Sequence, residues 1–167
     1  AQYGLSLQLL AVIFGFSQIL YNSYIPELTY LKVSKKNDLF IIKMSNILVI
    51  QWIVGIVGVL ALIVIAPLIL KIIKSNVKLL EINLLLLLSL VLFLETNHST
   101  FANIITLSNK VPFVRASIIS GVAIIIISSI VLKFTNVGVL GLILSQGLVQ
   151  LAYNNWYWPK YVLKENQ

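Results

Sequence analysis

The sequence predicts an all-α integral membrane helical bundle of five transmembrane helices, and three observations carry that prediction. Of 167 residues, 59% are hydrophobic and only 10% charged, with a mean hydropathy of +1.00, far more apolar than a soluble domain of this size. The apolar residues lie in continuous runs of the ~20 residues a helix needs to cross hydrocarbon, not in the alternating pattern of a membrane barrel. Most of the lysines sit in the short gaps between those runs.

The first run covers residues 3–25 and carries a polar stripe of Gln18, Tyr21 and Asn22. It follows Ala1 with no charged flank in front of it, so the chain is expected to be part of a longer one rather than the product of signal-peptide cleavage. The connector PELTYLKVSKKNDLFIIK then brings Lys32, Lys35, Lys36 and Lys43. A second run, 47–73, is apolar apart from Gln51, with Gly55 and Gly58 as sites of close helix approach and Pro67 towards its end. The third, 79–107, opens on leucines and then reads LETNHST. Pro112 opens the fourth, 116–132, where its missing N–H does no harm. The fifth, 137–158, has Gln146, Gln150 and Asn154 at four-residue intervals and ends in Tyr153, Trp156, Tyr157 and Trp158, rings that favour the headgroup layer. Pro159 is expected to stop it. Residues 1–167 read as a single bundle.

The charges set an orientation. With the first and third connectors and the tail on one side, that side holds eight basic residues and the other four. The positive-inside rule makes the richer side cytoplasmic, so the C-terminus is expected inside. A net charge of +7 distributed in this way is topology signal rather than a nucleic-acid surface. There is no cysteine and one histidine, which excludes thiolate metal sites and disulfides and leaves no case for a metal centre. No phosphate loop, paired-carboxylate site or serine–histidine–acid set is present, so the sequence gives no case for an enzyme or an organic cofactor.

Glu95 lies close to the midpoint of its run. A carboxylate there costs roughly 2.5 to 3.5 kcal/mol on the insertion scale, whereas each apolar residue of the preceding leucine run contributes about −0.3 to −0.6, so the segment still inserts. At 100° per residue Glu95, His98, Ser99 and Ala102 share one helix face, with Asn97 and Thr100 towards the other. Two readings stand: hydrogen bonds to neighbouring helices, typically worth about 0.6 kcal/mol each, or a polar cavity in which ionisable groups act. Polar stripes on three of five helices imply a water-accessible interior.

The stretches YGLSLQLL, SYIPELTYL, LETNHSTFANIITLSNKVPFVRASIISG and QGLVQLAYNNWYWPKYV resemble the C-terminal half of bacterial lipid-linked polysaccharide flippases, the O-antigen and capsule translocases of the multidrug, oligosaccharidyl-lipid and polysaccharide exporter superfamily. The resemblance implies that the five spans correspond to helices eight to twelve of a twelve-helix inner-membrane protein whose two six-helix bundles enclose a cavity. Undecaprenyl-pyrophosphate-linked oligosaccharide would cross by alternating access, with the missing N-terminal bundle as partner. In that frame Gln18, Asn22, Gln146, Gln150 and Asn154 would meet sugar hydroxyls, and Arg115 or Lys110 would attract the pyrophosphate. Glu95 and His98 would bind a coupling proton or sodium ion. Two other classes remain open: a non-transporting membrane scaffold or subunit, whose polar stripes would meet partner proteins, and a multidrug exporter of the same superfamily, which would want a more acidic, aromatic pocket.

Overall fold

The computed structural model describes residues 1–165. They form α1 (Gln2–Asn22), α2 (Ile25–Val33), α3 (Asn37–Ile72), α4 (Ile82–Thr106), α5 (Phe113–Phe134), α6 (Gly138–Val149), a π-helical turn (Gln150–Asn154) and α7 (Asn155–Glu165). No strand occurs among the described residues. Four helical stretches are long and apolar enough to cross a membrane: α1 continued by α2, then α3, α4 and α5.

The fifth expected crossing is helical but not one α-helix. It is built from α6, the π turn and α7, of 12, 5 and 11 residues, with no break in the helical run. Pro159 does not stop it, since α7 continues to Glu165. Asn155, four residues before the proline, has φ −84° and ψ −6°. That geometry tilts its carbonyl out of the helical direction and makes room for the Pro159 ring, which would otherwise collide with it. The second span also starts earlier than expected, at Asn37 rather than near residue 47. At 1.5 Å per residue the 36 residues of α3 extend about 54 Å, well beyond the ~30 Å of hydrocarbon, so its lysine-bearing first turns project past it.

α2 and α3 end without glycine. Lys35 and Lys74 take the left-handed conformation, with φ of 54° and 51°. The amide of the following residue then reaches back to a carbonyl of the last turn, Lys36 to Leu31 at 3.0 Å and Ser75 to Leu70 at 2.9 Å. Each bond satisfies a carbonyl that the helix end leaves open, which offsets the strain of a side chain at positive φ.

α4 is central. It packs against α1 and α3 and, separately, against α6 and α7, while α5 lies outside on α6 and has no buried residue. α1 and α3 approach closely because Gly55 and Gly58 lack side chains: a Cβ on Gly55 would lie 3.1 Å from the Phe14 ring, and one on Gly58 only 2.5 Å from Ile13. Gly147 serves the α4–α6 contact in the same way, with Val91 2.8 Å from where its Cβ would be.

The buried apolar residues form two clusters along the bundle axis. One contains Leu10, Phe14, Val59, Leu85, Leu88 and Ile143. The other contains Tyr21, Phe40, Met44, Ile104, Trp158 and Val162. Near the first, the amide of Leu80 donates to Ser6 Oγ at 2.9 Å, which ties the α3–α4 connector to the start of α1. Near the second, Lys32 and Lys110 converge on Glu165, and Lys43 pairs with Glu27 at 3.0 Å. The basic residues of the first connector, the third connector and the tail thus gather at one end, as the charge pattern requires of a bundle with alternating strokes.

Candidate functional site

Between the two apolar clusters lies a layer of polar side chains at the middle of the bundle. Its position follows from sequence order on α1, α3, α4 and the stretch from α6 into α7: Gln18 between Phe14 and Tyr21, Gln51 between Leu48 and Val59, Glu95 to Thr100 between Val91 and Ile104, and Gln146 to Asn154 between Ile143 and Trp158. A layer of this kind in hydrocarbon must satisfy itself internally or face water or protein, because each orphaned polar group costs several kcal/mol.

α4 is the hub of the layer and sends polar groups to four partners. Gln51 of α3 donates through Nε2 to Thr100 Oγ1 at 2.9 Å, and Asn97 donates through Nδ2 to Asn155 Oδ1 at 3.1 Å. Gln18 of α1 donates to Ser99 Oγ at 2.9 Å, and Gln146 of α6 donates to Glu95 Oε2 at 2.8 Å. The first of these pairs is buried, with Gln51 2% exposed. The last two are different. Glu95 is exposed and Gln18, Ser99 and Gln146 are half-buried, so one face of the bundle presents a polar band that runs from α1 across α4 to α6.

His98 is half-buried, and its Nδ1 is shut off from solvent with no hydrogen-bond partner among the described residues. No hydrogen bond between His98 and Glu95 occurs among the described residues. Asn22 is exposed at the end of α1, one turn beyond Gln18.

Gln150 and Asn154 are not part of the open band. The π turn takes them inward, to 8% and 1% exposure. Asn154 Nδ2 donates to Gln150 Oε1 at 3.2 Å and to Ser120 Oγ of α5 at 3.1 Å, and its Oδ1 accepts from Trp158 Nε1 at 3.2 Å. These bonds tie α5, the π turn and α7 together. They use both amide protons of Asn154 and one of the two lone pairs of its oxygen, so it acts as a structural junction.

Lys110 and Arg115 lie away from the band, at the lysine-rich end. Lys110 donates to Glu165 Oε1 at 2.7 Å, and Lys32 Nζ stands 3.8 Å from the other carboxylate oxygen. Burial works to raise the Glu165 carboxyl, but the bond from Lys110 and the charges of Lys32 and Lys110 outweigh it and hold the group below its ordinary value. The same hydrogen bond raises Lys110. Arg115 is exposed and lines a recess between α5 and α7 with Ser120, Tyr153 and Tyr157.

Sequence reasoning singled out Glu95, Gln18 and Gln146 but not that they meet through α4, and it passed over Asn155 and Glu165. Asn155 follows Asn154 in a helix already read as polar, so its pairing with Asn97 had a signal. Glu165 had one too, as the lone acid in a basic tail. Comparison of the chain with protein-family models, with curated proteins and with solved structures gives no match.

Proposed function

We propose that the chain is part of a membrane transporter that flips an undecaprenyl-pyrophosphate-linked oligosaccharide, an O-antigen or capsule repeat unit, across the bacterial inner membrane by alternating access. The substrate class comes from the sequence resemblance. The observation that carries the transport reading is the mid-bundle polar band of Gln18, Ser99, Glu95 and Gln146, half-open on one face. Transporters hold their substrate and coupling-ion sites near the bilayer midplane, where irregular or polar groups can be exposed only to water or protein.

A sugar pyrophosphate cannot cross about 30 Å of hydrocarbon unaided, because its charges and hydroxyls would lose their water. The amides of Gln18 and Gln146 each have donor and acceptor capacity beyond their single bonds and can replace that water. Glu95 is the group able to couple transport to an ion. As a carboxylate it accepts from Gln146 in a charge-assisted bond; after taking a proton or a sodium ion it holds Gln146 less strongly, which loosens α6 from α4.

The test is translocation of lipid-linked oligosaccharide by the protein that contains this chain, carrying Glu95→Gln or Gln146→Leu. The expected outcome is a loss of tenfold or more in rate with membrane levels of the protein unchanged. Full translocation by both variants would remove the transport role of the band and leave its bonds as helix-to-helix contacts, the arrangement a non-transporting scaffold requires.

A further inference from the structure

We infer that the aromatic and basic face of α7 is a binding site for the phosphate-bearing headgroup of an anionic phospholipid. The inference goes beyond transport and rests only on the chain lying in a bilayer. Tyr153, Trp156, Tyr157, Lys160, Tyr161 and Lys164 recur at helical spacing on one face and, with Glu165, line a recess of about 670 Å³. Its floor is formed by the rings of Tyr153 and Tyr157, stacked with centroids 4.5 Å apart. Trp156 stands against both at 5.9 and 6.1 Å, is 54% exposed, and is fixed by a bond from its Nε1 to the Ala152 carbonyl at 2.9 Å.

The charge of this recess is positive. Its acid, Glu165, is already bonded to Lys110, whereas neither Lys160 nor Lys164 makes an ion pair among the described residues. On the far side of the tyrosine pair, a second recess of about 420 Å³ brings Arg115 from α5. Three cations therefore flank one aromatic floor, at the end of the bundle where Lys32 and Lys110 meet Glu165.

This chemistry fits a lipid rather than a soluble anion. Rings with an apolar body and a polar edge sit at headgroup depth, where they pack on the glycerol region, and lysines at that depth draw phosphate. Exposed Leu163 on the same helix offers the adjoining apolar surface on which an acyl chain would lie.

The experiment is native mass spectrometry of the full chain, purified in neutral detergent and titrated with phosphatidylglycerol or phosphatidylcholine. Quenching of tryptophan by bromo-acyl versions of the two lipids in nanodiscs provides the second readout. Phosphatidylglycerol should be retained roughly tenfold better than phosphatidylcholine. Lys160→Gln/Lys164→Gln should abolish that preference, and Lys71→Gln/Lys74→Gln, at the opposite end, should keep it. Equal retention of the two lipids, a preference that survives the α7 variant, or displacement by millimolar glycerol 3-phosphate would overturn the assignment. Failure of the chain to float with vesicles would overturn the membrane reading together with this site, whereas flotation with equal retention overturns the site alone.

Discussion

The Gln51–Thr100 pair joins α3 to α4 inside the polar layer, and its two halves are not equivalent. Thr100 Oγ1 also lies 2.9 Å from the Thr96 carbonyl of its own helix, so it keeps a partner for its proton if Gln51 is removed. Gln51 has no such reserve among the described residues: its Nε2 and Oε1 lie 2.9 and 3.3 Å from Thr100 Oγ1, and the residue is 2% exposed. Gln51→Leu therefore deletes one interhelical bond, worth about 0.6 kcal/mol on average in membranes and up to about 1.7. Thr100→Val, nearly the same shape, leaves a whole amide buried without a partner and should cost about 1 to 3 kcal/mol. In the double variant nothing is orphaned, so the two effects should fall short of additive by about 1 kcal/mol. Reversible unfolding in mixed micelles, followed by tryptophan fluorescence, measures all three. Gln51→Leu costing more than Thr100→Val, or the two adding to within about 0.3 kcal/mol, would refute the reasoning.

Two further outcomes follow from contacts elsewhere. Gly58→Ala gains up to about 1 kcal/mol in helix propensity but drives a methyl to 2.5 Å from Ile13 Cγ2, an overpacking that typically costs about 1 to 3 kcal/mol; the variant should be destabilised, and Ile13→Ala should rescue it in the same unfolding assay. Because the Glu165 carboxyl is depressed in the folded chain, its contribution is present above the ordinary carboxylate value and lost as pH falls through the lower folded one; midpoint temperatures measured from pH 7 to pH 3 should drop less steeply in Glu165→Gln and in Lys110→Gln than in the parent.

Much of this architecture was legible because in hydrocarbon a helix must bond its own backbone, so a run of apolar residues is enough to place a crossing. The polar layer was legible residue by residue for the same reason: Gln18, Gln51, Glu95 and Gln146 each interrupt an apolar run. The helical wheel even separated directions that the fold uses, with Glu95 and Ser99 reaching α6 and α1 while Thr100 and Asn97 reach α3 and α7. Partners were not legible, because they depend on how far each helix is rotated against the next. Nor was the inward turn of Gln150 and Asn154: four-residue spacing puts them in line with Gln146 in an α-helix, and the π turn breaks that line. The stops at Lys35 and Lys74 carry no glycine to announce them.

The arrangement around α4 bears on how such a bundle moves in the transport reading. Four side chains within six positions of α4, Glu95, Asn97, Ser99 and Thr100, hold α6, α7, α1 and α3, so a displacement of α1–α3 relative to α5–α7 has to break bonds on one side of α4. Towards α1 and α3 those bonds run from amides to hydroxyls, and their strength does not change with ion binding. Towards α6 the bond ends on the Glu95 carboxylate, and it alone weakens when that group is neutralised. A ligand shifts a conformational equilibrium only through a difference in its interaction with the two states. In the proposed transport cycle the α4–α6 contact is where a bound proton or sodium ion would supply that difference, and Gly147, packed on Val91, is the small residue that lets the two helices approach closely there.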